Sequence, residues 1–268
     1  MGSEKMKNIQ FKKKYGQNFL KDDSIPKKIV AYSEIPEDTL VIEIGPGAGA
    51  LTKELAPCCK QVLAYEIDDS LSTILADSLK DYSNIDIIYG DFLTRNVKED
   101  LKQYSYSHLY VIANLPYYIT TPILLKLIEE HISVDKIVVM VQKEVGIRFS
   151  AEPGSRDYSS ITVFFHYYFH LKKLFDVSRN CFVPKPNVDS VILSFTRKEE
   201  QLPLKDQKLF FQLVRDAFQY KRKTLKNNLK KYDLSIIEQV LSRYSLDLSV
   251  RAEALPLEIF VELSNALA

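Results

Sequence analysis

The chain has 268 residues, 46% of them hydrophobic and 26% charged, with a formal net charge of +1. This length holds one full-sized α/β domain and a small appendage, and the composition is that of a soluble globular protein. No run of about 18 apolar residues is available to cross a membrane. The lysine-rich start, Met1 to Lys14, lacks the apolar core of a secretory signal, so a cytoplasmic location is expected.

In chain order, β-rich runs predict strands at Leu40–Ile44, Gln61–Ile67, Ile85–Tyr89, Leu109–Ala113, Lys136–Gln142, Ile161–His170 and Val188–Thr196. Between the first five, amphipathic stretches predict helices at Ala50–Pro57, Asp69–Lys80, near Val97–Gln103 and at Thr121–His131. Such alternation reads as an α/β fold, a parallel sheet with helices on both faces. The last two strands are joined by a loop holding Pro184 and Pro186, which predicts an antiparallel hairpin at the sheet edge. After Thr196 the pattern turns helical: over Lys205–Lys231, with apolar Leu209, Leu213, Ala217, Phe218, Leu225 and Leu229, then Ser235–Tyr244 and Pro256–Leu267. A boundary near residue 200 is expected, dividing residues 1–199 from a small all-α domain of residues 200–268.

The near-neutral net charge conceals two basic patches. Met1 to Phe19 carries lysines 5, 7, 12, 13 and 14 against Glu4 alone, and Lys205–Lys231 carries nine basic residues against Asp206 and Asp216. Such patches suit a polyanionic partner, although a solvated helix face would look the same. Cys58, Cys59 and Cys181 form neither a disulfide framework nor a zinc-ligand set. His166 and His170 share a face but lack a third ligand, so no metal is expected.

The first strand runs into Glu43-Ile-Gly45-Pro-Gly47-Ala-Gly49. Glycines let the backbone turn sharply and approach a ligand closely. The G-x-G-x-G spacing differs from the dinucleotide-binding fingerprint, and no Walker lysine follows. A purely structural tight turn is the competing reading. Glu66, ending the second strand, is placed to accept from both hydroxyls of a ribose, with Ile67 packing on an adenine face. Asp91 is placed to accept from the adenine amine, with Phe92 covering the ring. A glycine turn followed by these two strand-end acids is the pattern of an S-adenosylmethionine site.

The fourth strand ends in Asn114-Leu115-Pro116-Tyr117. Adenine's exocyclic amine is a poor nucleophile because its lone pair is delocalised into the ring. The Asn114 amide oxygen and the Leu115 carbonyl can accept both amine hydrogens and draw the nitrogen toward tetrahedral geometry. Pro116 fixes the backbone and offers no competing N–H. Tyr117 can stack on an extruded base. Out of context the tetrapeptide would be an ordinary turn.

These stretches resemble the KsgA/Dim1 family of ribosomal RNA adenine dimethyltransferases. The resemblance runs through Tyr15-Gly-Gln-Asn-Phe-Leu20, Glu43–Gly47, Gly90–Phe92, Asn114–Tyr118, Gln142–Val145, Pro153–Tyr158, Phe182-Val-Pro-Lys-Pro-Asn-Val-Asp-Ser190, Ala217–Leu225 and Arg251–Glu253. It implies a Rossmann-like, seven-stranded methyltransferase sheet with a small helical C-terminal domain, and S-adenosyl-L-methionine as cofactor. Asn18 and Leu20 would contact the cofactor's methionine end, with Gly45, Gly47, Glu66, Asp91 and Asn114 completing the site. Phe182 would lie across the target adenine from Tyr117; read from the residues alone, it is equally a loop hydrophobe packed under Pro184.

The implied substrate is a hairpin near the 3′ end of small-subunit ribosomal RNA, in assembling 30S particles, where two adjacent adenosines each receive two methyls. Lys12, Lys13, Lys14, Lys221, Arg222 and Lys223 would neutralise phosphates, and a monomer is expected. The alternatives are an Erm-type enzyme acting on large-subunit RNA, a non-catalytic RNA-binding assembly factor, and a DNA adenine methyltransferase.

Overall fold

A computed structural model describes residues 18–268. Lys12, Lys13 and Lys14, and the Tyr15-Gly-Gln part of the N-terminal motif, lie outside the described residues.

The chain forms strands β1 (Phe19–Leu20), β2 (Thr39–Ile44), β3 (Gln61–Glu66), β4 (Ile85–Tyr89), β5 (His108–Asn114), β6 (Lys136–Gln142), β7 (Phe169–Val177), β8 (Phe182–Val183) and β9 (Ser190–Arg197). Seven of them build one sheet in the order β4-β3-β2-β5-β6-β9-β7, while β1 and β8 form a separate two-stranded ribbon. Strands β2 to β6 pair in parallel, and β9 runs antiparallel to β6. Every residue of β2 is buried, as expected of a parallel strand covered on both faces. The helices α1 (Ser24–Ser33), α2 (Ala50–Leu55), α3 (Ser72–Leu79), α4 (Val97–Leu101), α5 (Thr120–Glu129) and α6 (Lys143–Phe149) punctuate these strands. Of these, α1 and α6 were not anticipated from sequence, nor were the two short strands.

Two compact units divide the chain. The first runs to Gly146 and resumes over Lys172–Thr196; the second comprises Ile147–Leu171 and Arg197–Ala268. The single cut expected near residue 200 is therefore replaced by an interleaved division, in which the second unit borrows an internal segment.

That segment also corrects an expected strand. Ile161–His170 is mostly helix: α7 spans Ser160–Tyr168, and only Phe169 and His170 belong to strand β7. Ser159 and Thr162 close a capping box at its start. Burial on nearly all sides erases the helical period and leaves an aromatic, β-branched run that mimics a strand. Phe164 packs on Phe211 with ring centroids 4.6 Å apart, inside the second unit.

The remaining helices are α8 (Gln207–Ala217), α9 (Leu225–Asn228), α10 (Leu234–Ser242) and α11 (Leu257–Leu267). The helical run expected over Lys205–Lys231 is thus two helices with a turn between them. Asp206 caps the first through the Leu209 amide. The buried Asn228 amide donates to the carbonyls of Ala217 (2.7 Å) and Tyr220 (3.2 Å), ending that helix and holding the turn. Leu225 and Leu229 are buried as expected. Among the described residues no helix is long and apolar enough to cross a membrane, and no cluster of three or more His, Cys, Asp or Glu is arranged to hold a metal ion.

Candidate active site

Strand order locates the site. β2 has β3 on one side and β5 on the other, so the chain leaves their carboxyl ends in opposite directions. A crevice opens at such a switch point, where open α/β sheets bind ligands. The glycine turn follows β2 directly, and Asn114 is the last residue of β5. Two motifs distant in sequence therefore meet: a Cβ on Gly45 would lie 3.9 Å from Pro116 Cδ.

Gly45 and Gly47 adopt φ of 74° and 60°, the left-handed region that favours glycine. A Cβ on Gly47 would stand 3.0 Å from Phe19 Cε1, so an aromatic ring lies directly against the turn. Glu66, at the end of β3, is 3% exposed. Its Oε2 accepts from the Gly47 amide (3.0 Å) and its Oε1 from the Asp68 amide (2.8 Å). Burial raises its pKa, while the amides of Asp68 and Gly47 pull the other way. Each carboxylate oxygen has a second lone pair, so the amides aim the group and leave acceptor capacity for a diol. Asp91 Oδ1 accepts from the Leu93 amide at 2.9 Å, which fixes the carboxylate beyond β4. Ile67, directly after Glu66, is half-buried.

Asn114 donates through Nδ2 to the Asn18 carbonyl over 3.4 Å, bringing the N-terminal segment to the end of β5. With its NH2 end committed there, Asn114 presents Oδ1 as the acceptor. The Pro116 carbonyl is taken by the Thr120 hydroxyl (3.1 Å) and the Ile119 amide (3.2 Å). The Leu115 side chain is buried and anchors the loop. Tyr117 is half-buried, and its hydroxyl shares a 2.9 Å hydrogen bond with the Ser190 hydroxyl. Burial raises the Tyr117 phenol's pKa, with Ser190 opposing.

Two aromatic side chains expected at the site are buried. Phe92 is 4% exposed, and its ring meets Tyr65 edge-on at 5.0 Å. Phe182 is 1% exposed and lies in the core cluster with Leu20, Ile25 and Ile29, where β8 pairs with β1. It therefore presents no free face to a base, and the packed reading describes it here. Leu20, pairing with Phe182, is likewise buried. Lys221, Arg222 and Lys223 are exposed on the turn after α8, in the second unit, with Lys221 Nζ donating to the Arg156 carbonyl.

Sequence reasoning passed over Phe19, Ser190 and the burial of Glu43. Phe19 and Ser190 do lie inside motifs already singled out, Tyr15–Leu20 and Phe182–Ser190. Their contacts are long-range and leave no local signal.

Comparison with known proteins decides the family. The sequence model described as ribosomal RNA adenine dimethylase matches residues 8–268. The chain belongs to that family. A ribosomal RNA adenine dimethylase of this kind is a methyltransferase of the S-adenosylmethionine-dependent type. The ribosomal RNA small subunit methyltransferase A of Streptococcus pyogenes serotype M5 is 46% identical over 266 residues, covering 96% of this chain and 92% of that protein. The enzyme of the same name from Streptococcus equi subsp. zooepidemicus is equally similar, 46% over the same shares. Among solved structures, a dimethyladenosine transferase from Plasmodium falciparum superposes with a TM-score of 0.76 at 27% identity, covering 91% of this chain and 95% of that one. The 23S rRNA methyltransferase ErmE gives 0.68 at 26% identity, covering 93% and 99%.

The residues fit the family's cofactor. Glu66 is held by two amides with acceptor capacity to spare. Asp91 is fixed one strand further along.

Proposed function

We propose that this chain dimethylates N6 of two adjacent adenosines in a 3′-end hairpin of small-subunit ribosomal RNA, within assembling 30S particles. The observation that carries the chemistry is the meeting of the Gly45 turn with Asn114–Tyr117 at the switch point. The small-subunit substrate is supported by the names of the 46% identical relatives, set against 26% identity to ErmE.

In this reading S-adenosylmethionine, when bound, supplies the methyl group. Gly45, Gly47, Glu66, Ile67, Asp91 and Asn18 hold the cofactor. Asn114 Oδ1 and the Leu115 carbonyl accept the two amine hydrogens and direct the nitrogen lone pair toward the methyl carbon. Tyr117 supports the extruded base from one face. Catalysis then rests on positioning and preorganised acceptors, without a covalent enzyme intermediate. The surplus proton leaves the product amine after transfer, so no strong base is required beforehand. Lys12, Lys13, Lys14, Lys221, Arg222 and Lys223 neutralise phosphates of the RNA.

The test is the mass of nucleosides from unmethylated small subunits incubated with protein and cofactor. Dimethyladenosine is expected, and Asn114→Ala should lower the rate by about 100-fold or more. Preferential methylation of large subunits would establish the Erm-type reading instead. Tight subunit binding with no transfer would establish a non-catalytic assembly factor.

A further inference from the structure

Ser190 occupies an unusual place for a hydroxyl. It opens β9, is fully buried, and pairs in the ladder opposite Gln142 of β6. The backbone on either side of it is braced. The Asp189 carbonyl accepts from the Lys143 amide at 3.0 Å, and Asp189 Oδ1 accepts from the Arg179 amide at 2.9 Å. The next residue, Val191, is packed against Gly146 of α6 so closely that a Cβ on the glycine would come within 2.5 Å. The hydroxyl is thus carried on a rigid post, and its partner is the Tyr117 phenol oxygen, 2.9 Å away.

Tyr117 stands on the loop beyond β5, where Pro116 constrains the backbone. Its ring is consequently held at both ends, at Cβ by the loop and at the hydroxyl by β9. A stacking platform works only if its plane is fixed relative to the acceptors that hold the amine, because misplacement of the reacting nitrogen by about 1 Å costs on the order of 100-fold in rate. With Phe182 buried, Tyr117 carries that task among the aromatic residues proposed to sandwich the base.

We propose that Ser190 is a positioning residue for methyl transfer: its hydroxyl pins the Tyr117 phenol and so sets the plane on which the target adenine stacks. This rests on the adenine-methylating reading above. Ser190 touches neither cofactor nor base; it acts through Tyr117.

The test is a double-mutant cycle of Ser190→Ala and Tyr117→Phe, with methyl transfer to unmethylated small subunits as the readout. Either change removes the same hydrogen bond, so each should lower kcat by roughly 3- to 10-fold, leaving cofactor affinity unchanged. The double variant should be no slower than the slower single variant, and Ser190→Thr should restore most of the rate. Tyr117→Phe leaves β9 untouched and remains decisive if Ser190→Ala fails to fold. Wild-type kcat in Tyr117→Phe, or multiplying losses in the double variant, would overturn the proposal. A second readout separates it from the functional reading: NMR of 13C-labelled tyrosine rings, with the Tyr117 signal assigned by its loss in Tyr117→Phe. Ser190→Ala, or Ser190→Thr if the alanine variant does not fold, is compared with wild type. Ring pinning predicts a changed Tyr117 signal in the alanine variant and a preserved one in the threonine variant. Should wild type transfer no methyl, the functional reading falls, while the ring signal still decides whether Ser190 fixes Tyr117; an unchanged signal in Ser190→Ala overturns that as well.

Discussion

Glu43 lies in β2, two residues before Gly45, and is 1% exposed. Burial pushes its carboxyl up to about 8, with the nearby Glu66 charge adding to the shift. The Thr52 hydroxyl opposes burial by more than Glu66 reinforces it, although neither Glu43 Oε2 nor Thr52 Oγ1 completes a hydrogen bond of proper geometry. The folded protein therefore holds this proton more tightly than the unfolded chain, whose carboxyl titrates near 4.5. The resulting stability is complete below about pH 4.5, falls by about 1.4 kcal/mol per unit above it, and is lost as pH passes about 8. Glu43→Gln stays neutral throughout. Its denaturant midpoint should gain on wild type between pH 5.5 and 8.5, and a pH-independent difference would refute the assignment. At this scale the legible residues were polar ones at strand ends: Glu66, Asp91 and Asn114 announce themselves because carboxylates and amides there seldom serve packing. Phe92 and Phe182 were harder to read, because an aromatic ring serves a core and a ligand equally well, and both are buried. Ser190 was silent because its partner lies on another strand's loop.

At the level of elements, the join between α6 and β9 is tight enough to measure. Alanine is a better helix former than glycine by about 1 kcal/mol, so Gly146→Ala would stabilise a solvent-facing helix. Here the added carbon meets Val191 Cγ1 at 2.5 Å, and a buried β-branched side chain cannot swing aside. Overpacking should win, with a net loss of ~1–3 kcal/mol read by denaturant unfolding. Val191→Ala in the same chain should recover part of it; a more stable Gly146→Ala would show that the two elements have slack. The parallel strands were legible because burial on both faces leaves unbroken apolar runs such as Val138 to Val141. α7 was not, since the same burial removed the period that marks a helix. The helical run over Lys205–Lys231 was half legible: its apolar spacing continues through Leu225 and Leu229, but the break depends on Asn228 reaching back to Ala217.

For the whole molecule, a net charge of +1 hides a strongly basic turn. Lys221, Arg222 and Lys223 are exposed together in the second unit, and none of them is among the residues proposed for chemistry. Replacing all three with alanine should weaken binding to small subunits and flatten its salt dependence, by roughly one unit of logarithmic slope for each phosphate no longer neutralised. The rate at saturating substrate should hold. An unchanged salt slope would assign these charges to solvation alone. The fold class was readable from the alternation of runs, whereas the division into units was not. A segment such as Ile147–Leu171, lent by one stretch of chain to a unit built mostly from another, carries no compositional mark.

The position of β9 has a consequence for biosynthesis. It is the last strand made, yet it sits between β6 and β7. During translation, at about 5–20 residues per second, β6 is complete several seconds before the strand that will cover its open side exists. Until then the Val138–Val141 run offers bare backbone donors and acceptors to any passing strand. Nascent chains halted before Ser190 should accordingly be stickier than full-length ones, and this protein's demand on chaperones should fall within that window of its synthesis.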